Sequence, residues 1–146
     1  MNLEEYIKGV KENNRFILSK AITLIESSLN QDRFKSSKLL EKCYSNNKKS
    51  IRIGISGTPG VGKSTFIESL GIYLIEKNYK IAVLTIDPSS TISKGSILGD
   101  KTRMQKLANS KNAFIRPSAN NGVLGGVSSN TKDIITLCET AGYDII

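Results

Sequence analysis

The sequence predicts an α/β fold: a mostly parallel sheet flanked by helices and preceded by an all-helical segment. Three observations predict it. A glycine-rich stretch, residues 57–64, lies between a β-branched apolar run and a helix-spaced apolar stripe. From there apolar runs of strand length alternate with helical stripes, the pattern of a parallel sheet covered by helices. The first 50 residues carry apolar positions at helical spacing only.

Residues 3–11 have the length and charge pattern of a short helix. Asn13 or Asn14 can cap the next one, in which Ile17, Leu18, Ala21, Ile22 and Ile25 form one apolar stripe. A third helix carries Phe34, Leu39, Leu40 and Tyr44. The stripe reads as packing surface rather than a partner-binding face. The polar stretch SNNKKS, residues 45–50, connects to the sheet, so the expected organisation is a helical segment at 1–50 and a second domain at 51–146. IRIGIS, residues 51–56, reads as a buried strand. Phe66, Ile67, Leu70 and Leu74 mark the helix after the loop, and Asn78 and Tyr79 mark a turn.

IAVLTI, residues 81–86, is a second buried strand that Asp87 and Pro88 end. A Gly/Ser/Thr-rich loop follows to about Asp100, then a short helix near 103–109 and a short strand at 113–116. After the glycine-bearing stretch NNGVLGGVSS, a helix over 131–141 puts Ile134, Ile135, Cys138 and Ala141 on one face. Gly142 stops it, and residues 143–146 begin another apolar strand.

Gly57, Thr58, Pro59, Gly60, Val61, Gly62, Lys63 and Ser64 match G-x-x-x-x-G-K-[ST] at every fixed position, in the strand–loop–helix context the motif requires. The glycines allow backbone angles closed to other residues and leave room for phosphates. Consecutive N–H groups can then form an anion nest, with a helix N-terminus aimed at the same place. Lys63 supplies a point charge for the β- and γ-phosphates. The Ser64 hydroxyl suits Mg²⁺, which takes few protein ligands. Thr65 is placed to donate to the α-phosphate, and Pro59 stiffens the loop.

Asp87 ends a strand at the edge where ligands bind in such sheets. Asp100 follows 13 residues later, within Gly-Asp-Lys-Thr-Arg. Phosphoryl transfer needs a carboxylate near Mg²⁺ and a segment that responds to the γ-phosphate. Asp87 and Asp100 are the candidates, although an Asp before Pro also starts turns for purely structural reasons. Lys101 or Arg103 could neutralise transition-state charge, but an exposed basic residue is the simpler account of each.

The chain has 146 residues, with 21 Lys+Arg against 13 Asp+Glu, a net charge of +8. That balance suits an anionic partner. The run Lys35, Lys38, Lys42, Lys48, Lys49 and Arg52 has no interleaved stacking surface, so a solvated helix face fits it better than a nucleic-acid patch. Histidine is absent, which removes imidazole metal sites and His-based acid–base chemistry from this chain. The two cysteines, Cys43 and Cys138, have neither disulfide-framework nor zinc spacing, and the expected setting is a reducing cytoplasm. No apolar stretch is long enough to span a bilayer, so no membrane partner is expected.

GTPGVGKST, then VLTIDPSSTISKGSILGDKTRM, then FIRPSANNGVLGGVSSNTKDII closely resemble the methylmalonyl-CoA mutase-associated GTPases of the MeaB/ArgK group, formerly called LAO/AO transport ATPases. The stretch from Asp87 to Met104 is far more specific than the phosphate loop. The family usually has Pro where this chain has Thr91 and Gly where it has Lys94; both differences bear on loop stiffness and remove no candidate ligand. The resemblance implies a P-loop GTPase of the SIMIBI class, using GTP and Mg²⁺. It implies a chaperone that loads and protects an adenosylcobalamin-dependent methylmalonyl-CoA mutase or a related cobalamin-dependent mutase. By matching positions, Gly57, Thr58, Pro59, Gly60, Val61, Gly62, Lys63, Ser64 and Thr65 would hold the nucleotide. Ser64, Asp87 and Asp100 would lie at the metal. Arg103 and the loop from Gly122 to Gly126 would respond to the nucleotide, making Lys63, Asp100 and Arg103 the catalytic candidates.

The family's later Glu-containing switch segment, its Asn-Lys-x-Asp base-reading motif and its C-terminal homodimerisation region are not in this chain. The expectation is an amino-terminal fragment, poorly stable alone and with little turnover. Other readings are a signal-recognition-type GTPase, whose loop normally continues Thr-Phe-Arg rather than Pro-Ser-Ser, and an ATP-using P-loop kinase. A reading of a different class is a non-catalytic basic scaffold.

Overall fold

A computed structural model describes residues 1–44, 49–87, 104–119 and 130–146. The chain groups into two compact units, residues 1–50 with 129–144 and residues 51–128 with 145–146.

The helical unit contains α1 (Leu3–Lys11), α2 (Arg15–Glu26) and α3 (Asn30–Tyr44). It also contains the helix Thr131–Thr140, which sequence order assigns to the segment after residue 50. Side chain–backbone bonds set the helix ends. Asn2 Oδ1 accepts the Glu5 N–H at 2.8 Å while Glu5 Oε2 accepts the Asn2 N–H at 2.7 Å, a reciprocal capping box. Just past the α1 C-cap Glu12, Asn13 takes the left-handed region at φ 54°; its N–H reaches Val10 O and that of Asn14 reaches Gly9 O. Asn14 then starts α2, its Oδ1 accepting the N–H groups of Phe16 and Ile17. Both asparagines therefore act, one as a stop and the other as a start.

Leu18, Ala21 and Ile22 are fully buried, as the stripe on α2 predicts. On α3 the buried pair is Leu39 and Cys43, one turn apart, whereas Phe34 is 71% exposed and Tyr44 49%. The expected apolar face of α3 is thus narrower than its four large residues imply. Lys38 covers the Phe34 ring on the outer side, and Tyr44 Oη donates to Asp133. Ile134, Leu137, Cys138 and Ala141 bury the facing stripe of Thr131–Thr140, with Ile135 only half-buried. Gly142, at φ 85°, ends that helix; its N–H bonds Glu139 O and that of Tyr143 bonds Cys138 O.

In the second unit, β1 (Ile81–Asp87) pairs in parallel with β2 (Ala113–Ala119), in the register Ile81 with Ala113 through Asp87 with Ala119. Ile145 bridges in parallel to both Ile51 and Ile81. Backbone order across the sheet is therefore 51–53, 145–146, β1, β2. α4 (Lys63–Glu76) follows the glycine loop, and the short α5 (Gln105–Ala108) precedes β2. Below, α6 denotes Thr131–Thr140.

The core of this unit is Ile81, Met104, Leu107, Ala113, Ile115 and Ile145, with Ile67, Ile72, Leu74 and Ile75 of α4 packed against it. Gly71 lets α4 approach, since a Cβ there would lie 2.8 Å from Ile81 Cδ1 and 2.9 Å from Leu107 Cδ1. Residues 51–56 correct one expectation. They are extended but not a buried strand: Ile51 is 60% exposed, Ile53 45% and Ile55 37%. Their strand neighbour is the pair 145–146, with Ile53 N–H donating to Ile146 O and Ile146 N–H to Ile51 O, each at 2.8 Å. Among the described residues no backbone hydrogen bond pairs residues 54–56, so their side chains stay at an open edge.

Candidate functional site

The parallel bridges of Ile51 and Ile81 to Ile145 point the 51–53 segment and β1 the same way. The loop after Ser56 and the β1 end at Asp87 therefore share the carboxyl edge of the sheet, where such folds bind ligands.

The loop is built around two left-handed glycines, Gly60 at φ 81° and Gly62 at φ 95°. A Cβ on either would meet nothing within 4 Å, so this face of the loop has room for a ligand and the backbone angle is what selects glycine. Gly57 differs: a Cβ there would come within 3.1 Å of Val61 Cγ1. Val61 N–H bonds back to Thr58 O at 3.4 Å, closing the turn through Pro59.

Gly62 caps α4 without a side-chain bond. The first N–H groups of a helix have no acceptor inside it, so those of Lys63, Ser64 and Thr65 are directed out of its positive end. Phe66 N–H is the first to turn inward, donating to Gly62 O at 3.0 Å. The Lys63 ammonium folds over the loop and donates to Gly57 O at 2.7 Å and Thr58 O at 2.9 Å. A cation, a helix N-terminus and a left-handed glycine pair thus converge on one concave stretch of backbone. That combination fits a chain of phosphates.

Ser64 sits half-buried in the first turn of α4. Among the described residues no three His, Cys, Asp or Glu side chains cluster as a metal site. Mg²⁺ needs no such cluster, because one hydroxyl, one or two carboxylates, phosphate oxygens and water complete its shell. The hard oxygen donors of Ser64 and of the predicted carboxylates fit that ion in chemical type. The Asp87 backbone closes β1 opposite Ala119, while its side chain lies outside the described residues. Asp100, Lys101, Arg103, Thr91, Lys94 and the Gly122 to Gly126 loop lie outside them entirely. The structure therefore brings Gly57, Thr58, Pro59, Gly60, Val61, Gly62, Lys63, Ser64 and Thr65 together as one loop and helix start.

Two further residues near this edge are not evident from motif reading. Thr85 Oγ1 is buried without a hydrogen-bond partner among the described residues, two positions before Asp87. Its only sequence signal is a hydroxyl inside an otherwise aliphatic strand. Glu68 lies one helical turn beyond Ser64, and its Oε1 accepts the Lys106 N–H at 2.9 Å. Half-buried on α4, it gives no sequence signal at all.

A strand, a glycine loop and a helix at the carboxyl edge of a parallel sheet define the P-loop nucleotide-binding fold. A solved structure described as an LAO/AO transport system kinase matches 99% of this chain and 42% of its own, with a TM-score of 0.79 and 34% identity. The chain belongs to the family described as methylmalonyl Co-A mutase-associated GTPase MeaB, whose profile matches residues 18–146.

Among curated relatives, a probable GTPase of Mycobacterium bovis is 50% identical over 138 residues, which is 94% of this chain and 41% of the relative. GTPase ArgK of Escherichia coli is 44% identical over 144 residues, 99% of this chain and 44% of the relative. The mitochondrial methylmalonic aciduria type A homolog of Mus musculus is 45% identical, over 94% of this chain and 36% of the relative. The chain thus spans about two fifths of the length of these relatives. No helix among the described residues is long and apolar enough to cross a membrane.

Proposed function

We propose that this chain carries the phosphate-binding part of a Mg²⁺-dependent GTPase that assists a cobalamin-dependent methylmalonyl-CoA mutase by loading and protecting its cofactor. The observation that carries the nucleotide part is the loop itself. Lys63 Nζ is held over Gly57 O and Thr58 O, beside left-handed Gly60 and Gly62 and the start of α4. The family description and the names of the relatives support guanine as the base and the mutase as the partner. A cytoplasmic setting is in keeping with Cys43 and Cys138, both buried and in no disulfide.

In this reading the N–H groups of residues 60–65 bind the α- and β-phosphate oxygens, and Lys63 exchanges its carbonyl partners for β- and γ-phosphate oxygens. Ser64, with Asp87 and Asp100, holds Mg²⁺, which when bound withdraws charge from the phosphates. Asp100 and Arg103 belong to the segment that responds to the γ-phosphate. Lys63 and the loop dipoles stabilise charge on the leaving diphosphate, and that is electrostatic work done by preorganised groups.

Nucleotide binding by the wild-type protein and by Lys63→Ala, measured with GTP and ATP in parallel, tests this reading. The expected result is tighter binding of GTP than ATP, and a loss of about 100-fold in Lys63→Ala, the scale of two charge-assisted hydrogen bonds. Equal affinity of wild type and variant would sink the phosphate-loop reading. A preference for ATP would sink the guanine assignment alone.

A further inference from the structure

The helix α5 (Gln105–Ala108) has only four residues, and Met104 at its N-cap makes no side-chain capping bond. So short a helix does not hold its own first turn. Its packing against α4 holds it, at Gly71 and at Glu68 among other positions. Leu107 is fully buried, and its Cδ atoms lie so close to Gly71 that a Cβ there would come within 2.9 Å of one of them. One turn earlier on α4, Glu68 Oε1 accepts the Lys106 N–H at 2.9 Å. Glu68 supplies from another helix the cap that Met104 lacks, and the carboxylate is favoured there by the helix dipole.

Glu68 also follows Ser64 by four residues, so the two share one face of α4. Met104, fully buried, is the first described residue after the stretch that carries Asp100 and Arg103. The phosphate-loop helix and the chain just beyond Arg103 are therefore joined by apolar packing and by a charge-assisted hydrogen bond. The apolar packing holds the helices close. The hydrogen bond is directional and adds a constraint on the rotation and slide of α5 along α4.

We propose that Glu68 is a positioning residue for nucleotide hydrolysis: by accepting the Lys106 N–H it registers the chain following Arg103 against the helix that presents Ser64. The inference rests on the phosphate-loop reading above. It assigns Glu68 no contact with nucleotide or metal, so its loss acts on turnover rather than on binding.

The test uses the full-length gene product and the variants Glu68→Ala and Glu68→Gln. It measures amide hydrogen exchange at Lys106, GTP affinity, and kcat and KM for GTP hydrolysis. In Glu68→Ala, exchange at Lys106 and kcat should each change about tenfold, with exchange rising and kcat falling, while KM and GTP affinity stay within about twofold. Glu68→Gln should restore both to within about twofold, because its amide oxygen accepts the same N–H. An unchanged kcat in Glu68→Ala alongside faster exchange at Lys106 overturns the proposal. So does unchanged exchange, or a kcat loss in Glu68→Gln as large as in Glu68→Ala. A wild-type protein that neither binds nor hydrolyses GTP overturns the functional reading, and this inference falls with it. Normal wild-type turnover with an indifferent Glu68→Ala overturns this inference alone.

Discussion

The two units divide the work of the chain unequally. Of the 11 large side chains that are fully buried among the described residues, nine belong to the helical unit and only Met104 and Leu107 to the sheet unit. Charge runs the other way. The sheet unit has ten Lys+Arg against four Asp+Glu, and the helical unit eleven against nine. Six of the eight net positive charges thus belong to the unit with the phosphate loop. The helical unit spends its sequence on closure: capped ends, left-handed stops and a filled interior. The sheet unit keeps an open loop and a cationic surface, which raise the local concentration of a polyanion at the expense of self-repulsion. The basic run on α3, the conspicuous one in the sequence, sits in the nearly balanced unit and is offset there by its acidic neighbours.

The strongest challenge to this division is Leu18→Ala in the fully enclosed interior. It should cost about 2–5 kcal/mol of unfolding free energy and leave GTP affinity unchanged, as read by urea titration and equilibrium binding. A parallel loss of affinity would show that the units do not act separately.

A smaller effect comes from alkali, again in the helical unit. Burial raises the Cys138 thiol from 9.0 to about 12, with the Glu139 carboxylate adding to it. Burial likewise raises the Tyr143 phenol from 10.0 to about 12. The native state retains both protons at pH values where the unfolded chain has lost them. This stabilisation is full below the unfolded values and is lost as pH rises through the folded ones. Urea midpoints should fall between about pH 9 and about pH 12, and Tyr143→Phe should flatten the upper part of that decline. A midpoint that stays level would contradict it.

The smallest effect belongs to the sheet unit. Thr85→Val removes a buried hydroxyl without a partner among the described residues. It should change stability by less than about 0.5 kcal/mol or raise it slightly, because no bond among the described residues is lost. A clear destabilisation in the same titration would mean that the hydroxyl has a partner.

The loop was legible because its chemistry is local: consecutive residues supply the glycine angles, the N–H donors, the ammonium and the helix start. The helix stops were legible for the same reason, since Asn13, Asn14 and Gly142 act on backbone only a few residues away. The exposure of residues 51–56 was not legible, because an apolar run does not state which surfaces will cover it. Nor was the role of Glu68, whose acceptor function depends on a residue 38 positions away.

The sequence by itself determined the alternation of helix and strand, the phosphate loop and the family resemblance, all matters of short-range pattern and residue chemistry. Only the tertiary structure decided that α6 joins the first three helices, that the pair 145–146 separates the 51–53 segment from β1, and that Glu68 caps α5. Each of these depends on which surfaces meet across long stretches of chain. Residue periodicity gives the shape of a surface but not its partner.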